Sequence, residues 1–525
     1  LVPGCQTPAK DGTVLVTNSA KVQENQRMVM EYLLINHPLD CPVCDQAGQC
    51  GLQDYSYDYG QASHRFVEER IVNPHKDVSD AIELVQDRCI MCTRCVRFTR
   101  EITRTSELQV MNRGSRAEIN IFPGHPVDNP LAGNVVDICP VGALLDKDFL
   151  HKQRYWFLSR HDAICTGCST GCNIYSEENR GAIWRFRARA NPHVNDYWIC
   201  DEGRATYKTA NDPALLHAAY VRRDGGLVET PIDQALHAVG QGFKQISDAG
   251  GILAGVLSPS LTVEEAYLMA SYLKGLNPAN VLALGPVPRI GVDQTFTPDK
   301  HEGRTGDTSF VVPRPFTIHA EKCPNRLGVE AILTHFQGEV IAYESLAARA
   351  FQGEFRGLYI ASDAIVTPFN DEDVRLLRPE VEFLVVQDTS VTPLAQAADV
   401  VLAGATFAEK AGCYVNFQGR LQYAEAALPP RDGSLPDLDL FAILLGRGAG
   451  PIRSREVLIE LATTIPAFAA VTGGEVPVFG VVLHEPSPIG DSEARPFVYR
   501  DPYLTTRGDR QARLNQVLPK GGETA

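Results

Sequence analysis

Residues 37–50 contain four side chains whose types and spacing could bind metal. They form an H-x3-C-x2-C-x5-C pattern made by His37, Cys41, Cys44 and Cys50. Thiolates and imidazole bind both tetrahedral zinc and iron–sulfur clusters. Pro42 and Gly48 favour turns that bring the thiols together instead of spreading them along one helix or strand. The pattern predicts one metal centre and leaves zinc and an iron–sulfur cluster both open.

A second group of cysteines has the spacing of ferredoxin ligands. It is a C-x2-C-x2-C triplet followed, after 43 intervening residues, by a Cys-Pro pair, and its members are Cys89, Cys92, Cys95 and Cys139. Zinc sites usually use two C-x2-C pairs, so three closely spaced thiols suit a cubane better. We predict a [4Fe–4S] cluster, with zinc as the less favoured alternative, whose fourth ligand returns from elsewhere in the fold.

A third group follows a C-x2-C-x3-C pattern with a distant fourth thiol, and it consists of Cys165, Cys168, Cys172 and Cys200. Gly167 and Gly171 allow the backbone to bend around a bulky inorganic core. We predict another [4Fe–4S] cluster here. The residues between its third and fourth ligands include Arg185, Arg187 and Arg189. They predict a twisted hairpin that carries exposed arginines.

Composition restricts the class of protein. The chain has 525 residues and a formal net charge of −15, which argues against a nucleic-acid partner. No window approaches about 18 consecutive apolar residues, so no segment is expected to span a bilayer. Twelve of the 14 cysteines precede residue 201, and without a secretory signal their short spacings favour metal ligation over disulfides. The chain opens on Leu1 instead of methionine, and we expect that its front has been lost.

Local patterns predict the elements that position the first two groups. A short strand is predicted at 13–17 and an amphipathic helix at 20–36, from apolar residues at three-, four- and seven-residue steps. A helix ending at Pro38 would place His37 at its mouth, because proline disfavours helical geometry in the preceding residue. Tyrosines 55, 57 and 59 alternate as in a strand and are expected to be half-buried packing residues.

The composition changes near residue 215. Apolar runs with strand character lie at 251–257, 280–284, 357–361, 382–387 and 399–403. Helical segments separate several of them, among them Thr262–Leu276, where Thr262 and Glu265 form a predicted capping box. This alternation predicts an α/β domain with a mostly parallel sheet covered on both faces. We expect long loops over 286–337 and an extended, partner-binding or disordered tail after about 485.

Three stretches together resemble the large iron–sulfur subunit of respiratory complex I, the NADH:quinone oxidoreductase. They are HPLDCPVCDQAGQCGLQD at 37–54, the triplet at 89–95 and GNVVDICPVGAL at 133–144. The likeness covers about residues 1–200. It implies three [4Fe–4S] clusters held by the three groups above, the first with a histidine ligand, and no catalytic residue. Cys5, in PGCQTP, matches the last ligand of an amino-terminal [2Fe–2S] cluster whose other cysteines are not in this sequence.

Residues 200–450 are similar to molybdopterin oxidoreductases of the formate dehydrogenase type. The stretches that show this similarity are SPSLTVEEAYL at 258–268 and ADVVLAGATFAEKAGCYVNFQGRLQ at 398–422. Active molybdenum members usually place a lysine two residues after the fourth cysteine, where this chain has Glu202. A carboxylate near an anionic pterin has the wrong charge, so no molybdenum is expected and the domain is interpreted as a scaffold.

The expected fold is an α+β iron–sulfur amino-terminal region followed by an α/β molybdopterin-oxidoreductase-like domain with a mostly parallel sheet. The predicted divisions are a [2Fe–2S] remnant, two iron–sulfur domains, the α/β domain and the tail, at 1–20, 21–155, 156–215, 216–485 and 486–525.

The resemblance implies a subunit of an oxidoreductase that relays electrons from NADH through its clusters toward quinone. The implied partners are the NADH- and flavin-binding subunit and the quinone-side iron–sulfur subunits, with no nucleic acid and membrane contact only through partners. The implied location is peripheral, on the cytoplasmic side of a bacterial inner membrane. Two alternatives remain: a diaphorase-side or catalytic subunit of an NAD-linked hydrogenase or formate dehydrogenase, and a zinc-stabilised structural subunit.

Overall fold

The computed structural model describes residues 1–3, 7–8, 10–298, 314–363, 369–448 and 451–483. Cys5 and the predicted tail lie outside these described residues. The chain divides into two compact units, one over Leu1–Leu158 and a second that begins at Ser159. The five divisions expected from the sequence stay a prediction.

The first unit is built from short elements. Its helices are α1 (Ala20–Leu34), α2 (Gly51–Tyr59), α3 (Arg94–Glu101) and α4 (Asn134–Ile138). Its strands are β1 (His75–Asp77), β2 (Ile82–Val85), β3 (Leu108–Met111), β4 (Glu118–Ile121) and β5 (Leu144–Asp146). An antiparallel sheet has the order β1-β2-β5, and β3 pairs with β4 in a hairpin. Buried Ile82, Leu84 and Leu144 give the three-stranded sheet its apolar face.

The amphipathic helix predicted at 20–36 is confirmed as α1, which begins after the capping side chain of Ser19. It ends at Leu34, before His37, so the prediction that it extends to Pro38 is wrong. The strand predicted at 13–17 is also wrong: these residues form no regular element, and Val14 and Leu15 are exposed. A strand needs a neighbour for its backbone groups, and none of the described residues supplies one there.

Tyrosines 55, 57 and 59 lie on a helix, α2, and not on a strand. Over five residues, a period of two also places the first and last side chains at an i, i+4 spacing on one helical face. The rings of Tyr55 and Tyr59 accordingly lie 5.9 Å apart. Tyr55, Tyr57 and Tyr59 are 54%, 91% and 43% exposed, so the expectation that these tyrosines are half-buried is wrong.

The second unit contains most of the regular structure. Its helices are α5 (Asp201–Ala205), α6 (Tyr207–Ala210), α7 (Ile232–Asp248), α8 (Val263–Leu276), α9 (Arg326–Gln337), α10 (Tyr343–Phe351), α11 (Asp371–Leu377), α12 (Pro393–Ala397), α13 (Asp437–Leu444) and α14 (Ser454–Thr464). Its first strands are β6 (Ser159–Ile164), β7 (Asn173–Asn179), β8 (Ala182–Ala188), β9 (Ala219–Arg223), β10 (Gly226–Thr230), β11 (Leu253–Leu257), β12 (Val281–Leu284) and β13 (Gln294–Phe296). The later strands are β14 (Phe316–Ile318), β15 (Ile341–Ala342), β16 (Gly357–Ala361), β17 (Phe383–Asp388), β18 (Val400–Ala403), β19 (Gly412–Val415), β20 (Arg420–Ala424) and β21 (Val481–Val482).

An eight-stranded sheet of order β10-β9-β18-β17-β16-β11-β12-β15 forms the centre of this unit. The strands from β18 to β15 run parallel, and β9 and β10 add an antiparallel edge. The mostly parallel α/β fold predicted from the five apolar runs is therefore confirmed. Leu253 and Leu257 of β11 join one hydrophobic cluster, while Ala254 and Val256 join another. Alternate side chains of one strand thus fill the cores on both faces of the sheet.

The capping box predicted for α8 is confirmed, since Thr262 and Glu265 exchange both hydrogen bonds. The prediction of loops throughout 286–337 is wrong for its last twelve residues, which form α9. Val329, Ile332 and Leu333 place one apolar stripe of α9 in the core, and Gly338, with φ of 80°, ends the helix. The remainder of that stretch includes β13 and β14, and residues 299–313 lie outside the described part of the chain.

Candidate metal centres

We call the three predicted ligand groups centre I (His37, Cys41, Cys44 and Cys50), centre II (Cys89, Cys92, Cys95 and Cys139) and centre III (Cys165, Cys168, Cys172 and Cys200). Their cysteines come from loops and helix ends and not from the middle of regular elements. Such positions leave the thiols free to converge while the adjoining helices and strands hold the backbone.

The four thiols of centre II line one cavity. Cys89 ends a short helical turn, Cys95 lies in the first turn of α3, and Cys139 follows α4. Met91 lies between Cys89 and Cys92, and Thr93 lies between Cys92 and Cys95. Both have positive φ angles, of 52° and 59° respectively. These left-handed residues curl the loop so that its sulfurs face inward. The amide of Met91 donates to Sγ of Cys89 at 3.4 Å, a hydrogen bond that favours the thiolate.

The environment of centre II fits an iron–sulfur cluster. The rest of the cavity is largely apolar, with Leu84, Ile119 and Val141 in its lining. Burial, followed by the charges of the other three thiols of the centre, raises the pKa of Cys95 to about 12. Burial also raises the pKa of Cys139 to about 11. These thiols hold their protons until a cation compensates the thiolate charge, as iron would do.

The four thiols of centre III also line one cavity. The loop from Cys165 to Cys172 closes through a backbone hydrogen bond between these two residues, at 2.8 Å, and turns at Gly171 with φ of 62°. Cys200 caps α5, where its sulfur accepts from the amide of Gly203 at 3.2 Å. A Cβ on Gly203 would lie 3.0 Å from Sγ of Cys165 and 3.2 Å from Sγ of Cys200, so the close approach of this backbone favours glycine.

Centre III is more deeply buried than the other two, since all four of its cysteines are buried. Burial raises the pKa of Cys200 to about 12, and the thiolate of Cys168 adds to that effect. The pKa of Cys172 is raised by burial and then by its three fellow thiols. Four thiols that share one buried cavity are a donor set for a polynuclear cation, and the residues therefore fit a cluster.

A lysine missed by sequence reasoning lies at centre III. Lys322 lines the same cavity, and its Nζ lies 2.6 Å from Oε2 of Glu202. The ion pair joins residues 120 positions apart, so no local pattern could have predicted it. Glu202 does occupy the place where the resemblance leads one to expect lysine, but its charge is balanced by this cation from another segment.

The three thiols of centre I lie close to one another on a turn. Cys41 begins a short helical turn, and buried Cys50 precedes α2. Burial raises the pKa of Cys50, and Cys44 and Cys41 act in the same direction. Arg154 fixes the turn by donating to the carbonyl oxygens of Cys44, at 2.8 Å, and of Pro42.

His37 is half-buried just before this turn. Burial lowers its pKa, Asp40 opposes that shift and Arg88 reinforces it. A lowered pKa keeps the imidazole neutral, which is the form that binds metal. Its membership of centre I stays a prediction, as does the assignment of all three ligand sets. Cys5 lies outside the described residues.

Within the described ranges, no group of three or more histidine, cysteine, aspartate or glutamate side chains has the geometry of a site for one metal ion. A cubane distributes its protein ligands over four irons, so its thiols stand farther apart than ligands that share one ion.

The hairpin predicted between the ligands of centre III is confirmed as β7–β8. The prediction that its arginines are exposed is wrong. Arg185 binds buried Glu177 through Nε at 2.5 Å, and Arg189 is only 6% exposed and lies 3.2 Å from Asp162. The buried carboxylate of Glu177 draws Arg185 inward because an unpaired charge there would be costly.

Four family models match parts of the chain. They are the NADH-ubiquinone oxidoreductase-G iron-sulfur binding region at 26–65, the NADH-quinone oxidoreductase subunit 3 ferredoxin-like domain at 79–145, the molybdopterin oxidoreductase Fe4S4 domain at 158–212 and molybdopterin oxidoreductase at 337–447. The first three contain centre I, centre II and centre III respectively. These matches agree with the order of domains that the sequence resemblance implies.

Curated relatives extend the likeness to most of the chain. The G-type NADH-quinone oxidoreductase subunit of Rickettsia felis is 26% identical over 90% of this chain and 83% of its own length. The mitochondrial NADH-ubiquinone oxidoreductase 78 kDa subunit of Neurospora crassa is 29% identical over 81% of this chain and 70% of its own. The chain is therefore a homologue of G-type NADH-quinone oxidoreductase subunits.

A solved NAD+-reducing [NiFe]-hydrogenase matches a smaller part of this NADH-quinone oxidoreductase homologue than those two relatives do. It is 27% identical over 28% of this chain and 65% of its own, with a TM-score of 0.26. In the described part of the homologue, none of the helices is long and apolar enough to cross a bilayer.

Proposed function

We propose that this chain carries electrons within NADH-quinone oxidoreductase, receiving those that began on NADH and passing them toward quinone. The observation that supports this most is the convergence of four cysteines on one cavity, which occurs at centre II and again at centre III. Iron–sulfur clusters supply one-electron redox chemistry when bound. The chain's own contribution is to hold the thiolates, exclude water and place charges and amide donors near the sulfurs.

We propose one [4Fe–4S] cluster at each centre. In centre I, an imidazole ligand in place of a fourth thiolate removes negative charge and should raise the potential, as histidine does in Rieske centres. Cys5 would serve a [2Fe–2S] cluster only if its missing partner cysteines were supplied. We propose no catalytic residue, because electron relay requires no bond-making side chain.

We propose that centre III anchors the fold of the second unit. Its ligand loop hydrogen-bonds to distant segments: Thr170 donates to the carbonyl of Thr317 at 2.7 Å, and Ser169 donates to that of Glu321 at 2.9 Å. A cluster there would join this loop to the start of α5. We expect Cys168→Ser to lower the melting temperature of the second unit while quinone reduction persists. Normal assembly combined with loss of quinone reduction would contradict this role.

We propose that the molybdopterin-like domain is a scaffold without molybdenum. In doubly wound sheets, ligands bind in the crevice at the carboxyl ends of the strands. The pocket at the ends of β11, β12 and β16 has a cavity volume of about 10 Å³ and includes Ser258, Gly285 and Asp363. Ordinary small-molecule sites start at about 300 Å³, so this pocket is small for a pterin dinucleotide.

We propose that the partners are the NADH- and flavin-binding subunit and the quinone-side iron–sulfur subunits of the peripheral arm. The proposed location is the cytoplasmic side of a bacterial inner membrane, reached through those partners. The hydrogenase and formate dehydrogenase alternative is less favoured, because the NADH-quinone and NADH-ubiquinone oxidoreductase relatives cover 81–90% of this chain.

The test is metal and sulfide analysis with EPR on the protein purified without oxygen together with its partner subunits. We expect about twelve irons and twelve acid-labile sulfides beyond those that the partner subunits contain without this chain, and EPR signals that appear on reduction. Serine variants of Cys44, Cys92 and Cys168 assign one signal to each centre. Zinc without iron would overturn the proposal, and stoichiometric molybdenum would favour the formate dehydrogenase alternative.

A further inference from the structure

Centre I and centre II adjoin one another at Gly142. Gly142 follows Cys139 of centre II by three residues, in the loop that leads into β5. A Cβ built on it would overlap Sγ of Cys44, a ligand of centre I. The backbone that carries the last ligand of one centre is therefore in contact with a ligand of the other.

Arg88 occupies the same junction. It immediately precedes Cys89 of centre II, and its side chain extends to the loop of centre I. There it donates to Oδ2 of Asp40 through Nε at 2.9 Å and through Nη2 at 2.6 Å. Nη1 donates to the carbonyl of Gly142 at 3.4 Å. One guanidinium therefore joins the ligand loops of both centres.

The buried position of Arg88 reduces the screening of its charge. The residue is only 5% exposed, so water screens its field weakly. The guanidinium acts electrostatically on Cys44 and on His37, which lie on either side of its contact with Asp40. Asp40 retains 29% side-chain exposure, and its carboxylate opposes Arg88 less strongly at Cys44 and more strongly at His37.

We infer that Arg88 sets the reduction potential of centre I relative to centre II, as a buried cation held between the two by Asp40 and Gly142. The inference rests on the proposed electron-carrying function. An electron added to centre I makes it more negative, and a nearby positive charge stabilises that reduced form. Arg88 thereby favours the electron on centre I, whose loop its guanidinium binds at Asp40 and on whose Cys44 its charge acts. It is a positioning residue and does not itself carry electrons.

The experiment measures the midpoint potentials of all three centres by EPR in the assembled complex. Arg88→Met removes the charge and keeps an apolar side chain of comparable length, Arg88→Lys keeps the charge, and Asp40→Asn removes the opposing carboxylate. Centre III lies in the other unit and is an internal control in every sample. Arg65→Met is the matched control, because Arg65 forms an exposed ion pair with Glu31 in the same unit.

At the wild-type midpoint of centre I, we expect Arg88→Met to lower the reduced-to-oxidised ratio of that centre about tenfold, which corresponds to 59 mV for one electron. Centre II should shift less and centre III should not shift. Arg88→Lys should stay near wild type, and Asp40→Asn should move centre I in the opposite direction, to higher potential.

If Arg88→Met does not assemble centre I, Asp40→Asn decides by the sign of its shift. An unchanged or lowered potential of centre I in Asp40→Asn overturns the inference, as does an unchanged potential in an assembled Arg88→Met. Absence of iron–sulfur signals from the wild-type protein would instead overturn the proposed function. The two failures are therefore distinguishable.

Discussion

Gly142 shows how much can depend on one missing side chain. It ends the Cys-Pro-Val-Gly sequence that begins at Cys139. A Cβ built on it would meet the sulfur of Cys44 and the side chains of Gln46 and Arg88. Its φ is not positive, so glycine is required by space and not by backbone conformation. A methyl group would have to displace a thiol from centre I.

We expect Gly142→Ala to lose the iron of centre I, although the substituted residue belongs to the loop of centre II. The added Cβ occupies the place of Sγ of Cys44, and a cluster tolerates no such displacement of a ligand. The measurement is iron content together with the EPR signal that Cys44→Ser also removes. Gly240→Ala, on α7 where a Cβ meets nothing within 4 Å, is the control and should retain all signals. Full iron and three signals in Gly142→Ala would contradict the expectation.

Among the elements, the sheet β6-β7-β8 depends on one buried carboxylate. Glu177 on β7 is fully buried, with Oε1 2.9 Å from Nη2 of Arg160 on β6 and Oε2 2.5 Å from Nε of Arg185 on β8. Burial alone would raise its pKa, but Arg185, Arg160 and Arg187 outweigh that effect and lower the pKa from 4.5 to about 2. The charge therefore links all three strands.

The ion pairs of Glu177 predict that the stability of the second unit depends on pH. Because the pKa of Glu177 is lower in the folded chain than in the unfolded chain, its contribution is complete above about pH 4.5 and is lost as the pH falls toward 2. Glu177→Gln should lower the free energy of unfolding by about 3–5 kcal/mol at pH 7, because it removes the carboxylate charge from a buried ion pair. The free energy of unfolding of the second unit, from urea titrations at pH 7, 4 and 3, measures this.

The difference between wild type and Glu177→Gln should shrink as the pH falls over that range. Glu382→Gln removes an exposed partner of Arg356 and should cost no more than about 1 kcal/mol at any pH. A difference that stays constant from pH 7 to 3 would show that Glu177 acts by its shape and not by its charge.

At the scale of the whole molecule, the two units differ in what stabilises them. Both large hydrophobic clusters that surround the eight-stranded sheet belong to the second unit. The first unit relies on strands of three or four residues and on loops that surround buried thiols. Small apolar cores are commonly supplemented by metal.

We therefore expect iron removal to unfold the first unit preferentially. Without iron, the thiols of centres I and II repel one another if ionised, and their loops lose the cluster that would join the ligands. Hydrogen–deuterium exchange should accelerate over 37–50, 86–95 and 134–144, whereas the backbone amides of β11, β16 and β17 should remain protected. Reconstitution with iron and sulfide should restore protection, and equal loss in both units would contradict the expectation.

Several elements could be predicted from the sequence because their signals are local. The amphipathic period gave α1, the capping box gave the start of α8, and five apolar runs predicted the central parallel strands. Local signals were insufficient where one pattern suits two structures. The tyrosines of α2 fit a period of two and also an i, i+4 spacing, and α9 followed a proline- and glycine-rich stretch that concealed its apolar stripe.

The cysteine spacings alone predicted which thiols group together, since a short loop between two ligands limits how far their sulfurs can separate. The tertiary structure alone decided what surrounds those groups: Arg88 with Asp40 across 48 residues, Lys322 with Glu202 across 120, and Gly142 against Cys44. Such contacts join segments that are remote along the chain, and no local period encodes them. The types and spacing of the predicted ligands can thus be read from the sequence. The charged groups that would shift the reduction potentials of the centres are brought there only by the tertiary fold.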